Sequence, residues 1–217
     1  MPGLSEFDKV FLDAQRQGRI SFYLTSRGEE ACTIGAAAAL DHRDWILPQY
    51  RELGAALWRG MSFGHVASHL CASEADTAHG RQMPVMYGDR SLRYFVVKGS
   101  LGTHLPHAAG AAYALKREGK SEVTLAYFGD GCASTGDAPS ALQLAAVHGC
   151  PTIFFCRNNG YAISTSANEQ FASDGIAPRG LAYGLAIVRV DGNGASRRPQ
   201  PPPATPPLPA PPLDAHP

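Results

Sequence analysis

The strongest constraint in this sequence is a spacing. Asp130 sits between two glycines directly after the apolar run VTLAYF, and Asn159 follows 29 residues later, just beyond the apolar run TIFFC. Two apolar runs of strand length with a helical run between them read as a strand–helix–strand crossover, which takes about 30 residues and leaves its strands parallel. Parallel strands present ligand sites beyond their carboxyl ends. The spacing therefore predicts that the Asp130 and Asn159 side chains lie at one edge of one sheet. There Asp130 offers a carboxylate, Asn159 an amide oxygen and Tyr161 a backbone carbonyl, a set of hard oxygens that suits Mg2+ shared with substrate phosphates. Gly129 and Gly131 let the main chain approach a phosphate closely, the amides after Gly131 point in from a helix start, and Arg157 adds a cation. The bland alternative makes GDG a plain βα turn and Asn158-Asn159 a strand-end turn. The strand flanks and the continuation NNGYAIS weigh against it.

Hydrophobic patterning along the rest of the chain predicts an α/β fold, a parallel sheet with flanking helices. Leu4, Phe7, Val10, Phe11 and Ala14 recur at helical spacing up to Arg16, and Gly28-Glu29-Glu30 opens an alanine-rich helix to Leu40. Asp41 to Gln49 reads as a loop, and Tyr50 to Arg59 as a helix. Residues 73–93 read as a long irregular connection, which inside a compact domain signals function. Tyr94 to Val97 is an expected strand, Gly99 to Gly102 a turn, and Leu105 to Lys116 a helix with Pro106 in its first turn. Val123 to Phe128 and Thr152 to Cys156 are expected strands buried on both faces, joined by a helix over Ser134 to Val147. Ile187 to Val190 is one further expected strand.

Charge and composition exclude several classes. Lys plus Arg and Asp plus Glu are 19 each, so no net field draws nucleic acid or anionic lipid. The five cysteines are odd in number, form no CxxC pair and sit in apolar or small-residue runs, as reduced core cysteines do. No apolar run approaches the ~20 residues that span a bilayer, and MPGLSEFDKVF has neither a secretory nor a transit pattern. The expectation is a soluble intracellular chain that binds neither nucleic acid nor membrane. Ten of the 17 prolines fall between Pro199 and Pro217, so the folded domain is expected over 1–193, with a Pro-rich disordered tail over 194–217.

At the opening stretch the text becomes recognisable. GDG…NN resembles the thiamine-diphosphate fingerprint. The strings RQGRISFYLTSRGEE, QYRE, GRQMPV, AYFGDGCASTGDA, FFCRNNGYAIST and SDGIAPRG together resemble the alpha subunits of branched-chain 2-oxo acid dehydrogenases over residues 6–193. That resemblance implies a thiamine-diphosphate-binding fold, thiamine diphosphate and Mg2+ as cofactors, and Asp130, Asn159 and the Tyr161 carbonyl as metal ligands. It implies that Tyr50, Arg51, Gly99, Leu101, Gly129, Gly131, Cys132 and Arg157 contact the cofactor, with Arg51 and Arg157 on the diphosphate. It further implies oxidative decarboxylation of a branched-chain 2-oxo acid, with the cofactor as electron sink. The implied partners are a beta subunit, which completes the site, and a lipoyl acyltransferase core, which takes the acyl group. The compartment is the cytoplasm in a bacterium and the mitochondrial matrix in a eukaryote.

Two departures from the family pattern carry expectations of their own. Where some members bind a monovalent cation in a turn read SSPLATQ, this chain has Lys98-Gly99-Ser100-Leu101-Gly102-Thr103-His104. Lys98, Ser100, Thr103 and His104 are the candidate cation turn for potassium, unless the Lys98 ammonium takes the cation's place or is a plain surface charge. His104 and His107, three apart at a helix start, are read as structural rather than metal-binding. The family text stops near Gly194, so the fold is expected to be incomplete at its carboxyl end. The family's catalytic histidine has no counterpart, and the chain alone is expected to be inactive. A pyruvate or acetoin dehydrogenase alpha chain, and a non-catalytic fragment that pairs with a beta chain, remain as alternatives.

Overall fold

The computed structural model describes residues 2–173 and 175–192. The expected domain boundary at 193 and the Pro-rich segment 194–217 lie outside those residues. Three parallel strands, β1 (Trp45–Leu47), β2 (Thr124–Gly129) and β3 (Thr152–Arg157), form a sheet in the order β1-β2-β3. A small antiparallel hairpin follows, β4 (Tyr161–Ala162) with β5 (Thr165–Ser166). The helices are α1 (Pro2–Arg16), α2 (Glu30–Ala38), α3 (Leu53–Trp58), α4 (Phe63–Leu70), α5 (His104–Arg117), α6 (Asp137–Val147), α7 (Ala167–Gln170) and α8 (Ala177–Ala182). A 3-10 turn spans Cys132–Ser134.

Alternation along the strands divides the core between two faces. Ile46, Leu125 and Tyr127 face a cluster built from α1 to α4, including Leu4, Phe11, Ala37, Leu53 and Val66. Leu47, Ala126 and Phe128 face the other way, onto Leu105 and Ala108 of α5 and Ala138 and Ala141 of α6. Small residues let the layers close up. A Cβ on Gly54 would stand 2.8 Å from Thr33 Oγ1 and 2.9 Å from Ile34 Cγ1, so only glycine there allows α3 its approach to α2. Polar ties lock the same layer: Tyr127 Oη donates to Thr33 O at 2.7 Å, and the buried Asp8 accepts from Tyr23 Oη at 2.7 Å and Ser26 N at 2.8 Å.

Four expectations need correction. The stretch read as a loop over Asp41–Gln49 contains β1. Its apolar run is too short to be told from a loop, and pairing with β2 makes it a strand; Asp44 helps by accepting from Val123 N at 2.8 Å. The strand expected over Tyr94–Val97 reduces to isolated bridges from Tyr94 to Ile46 and Asp89, since three-residue β1 offers no longer ladder. The strand expected over Ile187–Val190 does not form; it joins no ladder, and Val188 and Val190 are 58% and 63% exposed. Nor is β3 buried on both faces: it lies at the edge of the described sheet, and Ile153 is 46% exposed. Residues 73–93 are irregular, as expected, and are held by the buried pair His69–Asp76 (Nδ1 to Oδ1 3.1 Å). All five cysteines are free, and among the described residues no helix is long and apolar enough to cross a membrane.

Candidate functional site

The carboxyl ends of all three parallel strands meet at one place. Gly129 closes β2 in register with Arg157, the last residue of β3, so Asp130 and Asn158 leave the sheet side by side. Gln49, two residues past β1, is buried and accepts from Gly129 N through Oε1 at 2.8 Å. The crossover spacing read from the sequence thus places Asp130 and the Asn158-Asn159 pair at the same edge.

The hairpin of β4 and β5 folds over that edge. A Cβ on Gly131 would fall 2.8 Å from Cβ of Ala162, so the glycine is what admits the hairpin. Ala167 N donates to Gly160 O at 2.8 Å, tying the hairpin to α7. Gln170 at the end of α7 then reaches back, donating from Nε2 to Asp130 Oδ2 at 3.1 Å and accepting from Ser134 Oγ at 3.1 Å. Asp130 is 2% exposed.

A second cluster lies alongside. Arg157 donates from Nε to Glu52 Oε1 at 2.5 Å and pairs through Nη1 with Glu29 Oε2. Glu29 Oε1 also accepts from Asn159 Nδ2 at 2.9 Å, while Asn159 Oδ1 accepts from Tyr161 N at 3.1 Å. Burial pushes the Glu52 carboxyl above its ordinary range, opposed by Arg157. Burial also works against charge on Arg157, but Glu52 and Glu29 outweigh it and hold the guanidinium protonated. Burial, aided by Asp137, pushes the Cys132 thiol up to about 12, so at neutral pH it is a packed thiol and no nucleophile.

The remaining predicted residues fall around this edge. Arg51 donates from Nη1 to Thr25 O at 2.9 Å and lies 5.6 Å from the Tyr50 ring centroid; both side chains are half-buried. Gly99 and Leu101 are exposed. Their turn packs against the segment that follows the GDG loop, where a Cβ on Gly102 would meet Thr135 Oγ1 at 2.4 Å. In the candidate cation turn Lys98 and Ser100 are exposed, and Thr103 Oγ1 donates to Ser100 O at 3.0 Å. The His104 imidazole is directed elsewhere: it is 3% exposed and its Nε2 donates to Tyr127 O at 2.7 Å.

Four contributors escaped the sequence reading: Gln49, Glu52, Glu29 and Gln170. The first two stand in QYRE and the third in RGEE, strings that carried the resemblance without assigning them roles. Gln170 has no local signal. Among the described residues no group of three or more His, Cys, Asp or Glu could hold a metal. The residues that could hold Mg2+ are those named from the sequence, Asp130, Asn159 and the Tyr161 carbonyl, which offer hard oxygens of the kind Mg2+ accepts beside phosphates.

Comparison with known proteins decides the family. The family model described as "Dehydrogenase E1 component" matches residues 4–196. The chain belongs to the dehydrogenase E1 component family. Among curated relatives, the mitochondrial 2-oxoisovalerate dehydrogenase subunit alpha 2 of Arabidopsis thaliana is 51% identical over 90% of this chain and 41% of its own length. The mitochondrial alpha subunits of Bos taurus and Homo sapiens are 48% and 47% identical, over 88% of this chain and 42% and 43% of theirs. The chain therefore spans about two fifths of the length of these relatives. A solved structure titled as a putative thiamin diphosphate-dependent enzyme from Mycobacterium smegmatis aligns at 17% identity over 71% of this chain and 25% of its own, with a TM-score of 0.44. That likeness is too loose to carry an argument.

Proposed function

We propose that this chain is the cofactor-holding part of the alpha subunit of a branched-chain 2-oxo acid dehydrogenase, binding thiamine diphosphate through Mg2+ at the edge where the three strands end. The observation that carries the reading is the Gly129–Arg157 register, which delivers Asp130 and Asn159 together beneath a hairpin that only Gly131 admits. The likeness to 2-oxoisovalerate dehydrogenase alpha subunits supports the substrate class. In this reading Asp130, the Asn159 amide oxygen and the Tyr161 carbonyl hold the metal, and Arg157 faces the diphosphate. Tyr50, Arg51, Gly99, Leu101 and Cys132 complete the cofactor's surroundings.

Thiamine diphosphate supplies the carbon nucleophile and electron sink that decarboxylation needs. The chain's own part is to bind and orient. Gln49 fixes the amide of Gly129 and so the start of the GDG loop, while Gln170 fixes one oxygen of Asp130 and leaves the other for the metal. A beta subunit and a lipoyl acyltransferase are the partners, and the Lys98–Thr103 turn takes either potassium or the Lys98 ammonium in the cation's place. The matrix is the compartment in a eukaryote, in line with the relatives' names, and the cytoplasm in a bacterium. Calorimetric titration of thiamine diphosphate tests the cofactor reading: binding should require Mg2+ and vanish in Asp130→Asn. Mg2+-independent binding, or full binding by Asp130→Asn, would refute it. Turnover of 3-methyl-2-oxobutanoate against pyruvate, with a beta subunit added, tests the substrate class.

A further inference from the structure

Glu29 holds an unusual position for a carboxylate at the start of a helix. It is the N-cap of α2, yet its side chain makes no capping bond there. Instead Oε2 pairs with Arg157 Nη1, 128 residues away, and Oε1 accepts from Asn159 Nδ2 at 2.9 Å. The carboxylate is committed across the site, and the N-terminus of α2 goes without a side-chain cap. One anionic group thus engages Arg157, which in the reading above faces the diphosphate, and the amide nitrogen of Asn159, whose oxygen in that reading holds the metal. The Asn159 orientation is fixed independently, since Tyr161 N bonds its Oδ1 at 3.1 Å.

The two carboxylates on Arg157 are not equivalent. Glu52 is 0% exposed and grips Nε from the core, so it cannot leave without exposing a buried guanidinium. The Glu29 side chain is 18% exposed, so it has solvent beside it that the Glu52 side chain lacks. Glu29 can therefore move outward while Glu52 stays and keeps Arg157 in place.

We propose that Glu29 is a built-in competitor: its carboxylate occupies Arg157 Nη1 and Asn159 Nδ2, and the diphosphate binds by displacing it. The proposal rests on the cofactor reading given under Proposed function. Such a competitor raises the threshold for entry. A singly bridging anion gains little over the carboxylate it removes, whereas a metal-bound diphosphate brings more charge and more acceptors.

Calorimetric titration of Mg2+-pyrophosphate into the full chain tests it. Glu29→Gln keeps the acceptor but removes the charge, and should bind about five- to tenfold more tightly than wild type, the size expected for losing one partly exposed charged competitor. Equal or weaker binding by Glu29→Gln, with wild type binding normally, overturns the proposal alone. Weaker binding would mark Glu29 as a ligand instead. Failure of wild type to bind pyrophosphate or thiamine diphosphate overturns the cofactor reading and the proposal with it. A measurement on wild type covers the case of an unfolded variant: carbodiimide labelling of Glu29, read by mass spectrometry, should increase when Mg2+-pyrophosphate is added. Unchanged or decreased labelling overturns the displacement.

Discussion

Arg157 and Glu52, 105 residues apart in the chain, form a hydrogen-bonded ion pair with Nε and Oε1 2.5 Å apart and side-chain exposures of 4% and 0%. The pair joins the end of β3 to the residue before α3. It also leaves Glu52 Oε2 buried without a hydrogen-bond partner, and Arg157 is the main group that offsets the burial of the carboxylate.

Removing the cation should therefore cost more than removing the anion's charge. Arg157→Met strands a buried carboxylate and is expected to destabilise the chain by ~3–5 kcal/mol, whereas Glu52→Gln should cost clearly less. The Arg157→Met deficit should also shrink on acidification. Burial raises the folded-state pKa of Glu52, so the folded form holds its proton more tightly, and stability falls as pH rises through that range. Urea midpoints of both variants at pH 5 and pH 8 check both statements.

Gln49 accepts the amide of Gly129 in a buried setting. Gln49→Leu leaves that N–H without a partner and should cost ~1–3 kcal/mol, read as a lower urea midpoint. Amide exchange at Gly129 should accelerate before the rest of β2 is affected.

Gly131→Ala would drive a Cβ into Ala162. The hairpin must shift, at an expected ~1–3 kcal/mol, and the site opens. Thermal denaturation should show the modest loss, and Mg2+-dependent binding of thiamine diphosphate should weaken at least about tenfold. A Gly136→Ala control, where a Cβ meets nothing, should show neither effect.

His104 should impose a pH dependence on stability. Burial lowers its pKa below the ordinary 6.5, partly offset by the bond to Tyr127 O, so the folded chain keeps it neutral while the unfolded chain protonates it. Its contribution is complete above the unfolded value and is lost as pH falls toward the folded one, with a slope of at most about 1.4 kcal/mol per pH unit. Urea midpoints between pH 7.5 and pH 5 should fall in wild type and fall less in His104→Gln.

Much of the fold was legible because its signals are local. VTLAYF and TIFFC are strand-length apolar runs with a helical run between them, and the structure returns β2, α6 and β3 close to the expected bounds. The failures share a cause. WIL over Trp45–Leu47 became a strand, whereas Tyr94–Val97 and Ile187–Val190 did not, because strand identity in short runs depends on a neighbour's free edge. The site divides in the same way: Asp130 and Asn159 could be found from spacing, whereas Gln170 and Glu29 act through contacts 40 and 130 residues away in sequence.

The sequence by itself determined the parallel crossover, the family likeness, and the arrival of Asp130 and Asn159 at one edge, because strand rise and crossover length leave little choice. Only the tertiary structure decided what surrounds them. It put Glu52 and Glu29 on Arg157, Gln170 on Asp130 and the Ala162 hairpin on Gly131, since burial and charge balance act between segments that no local pattern connects.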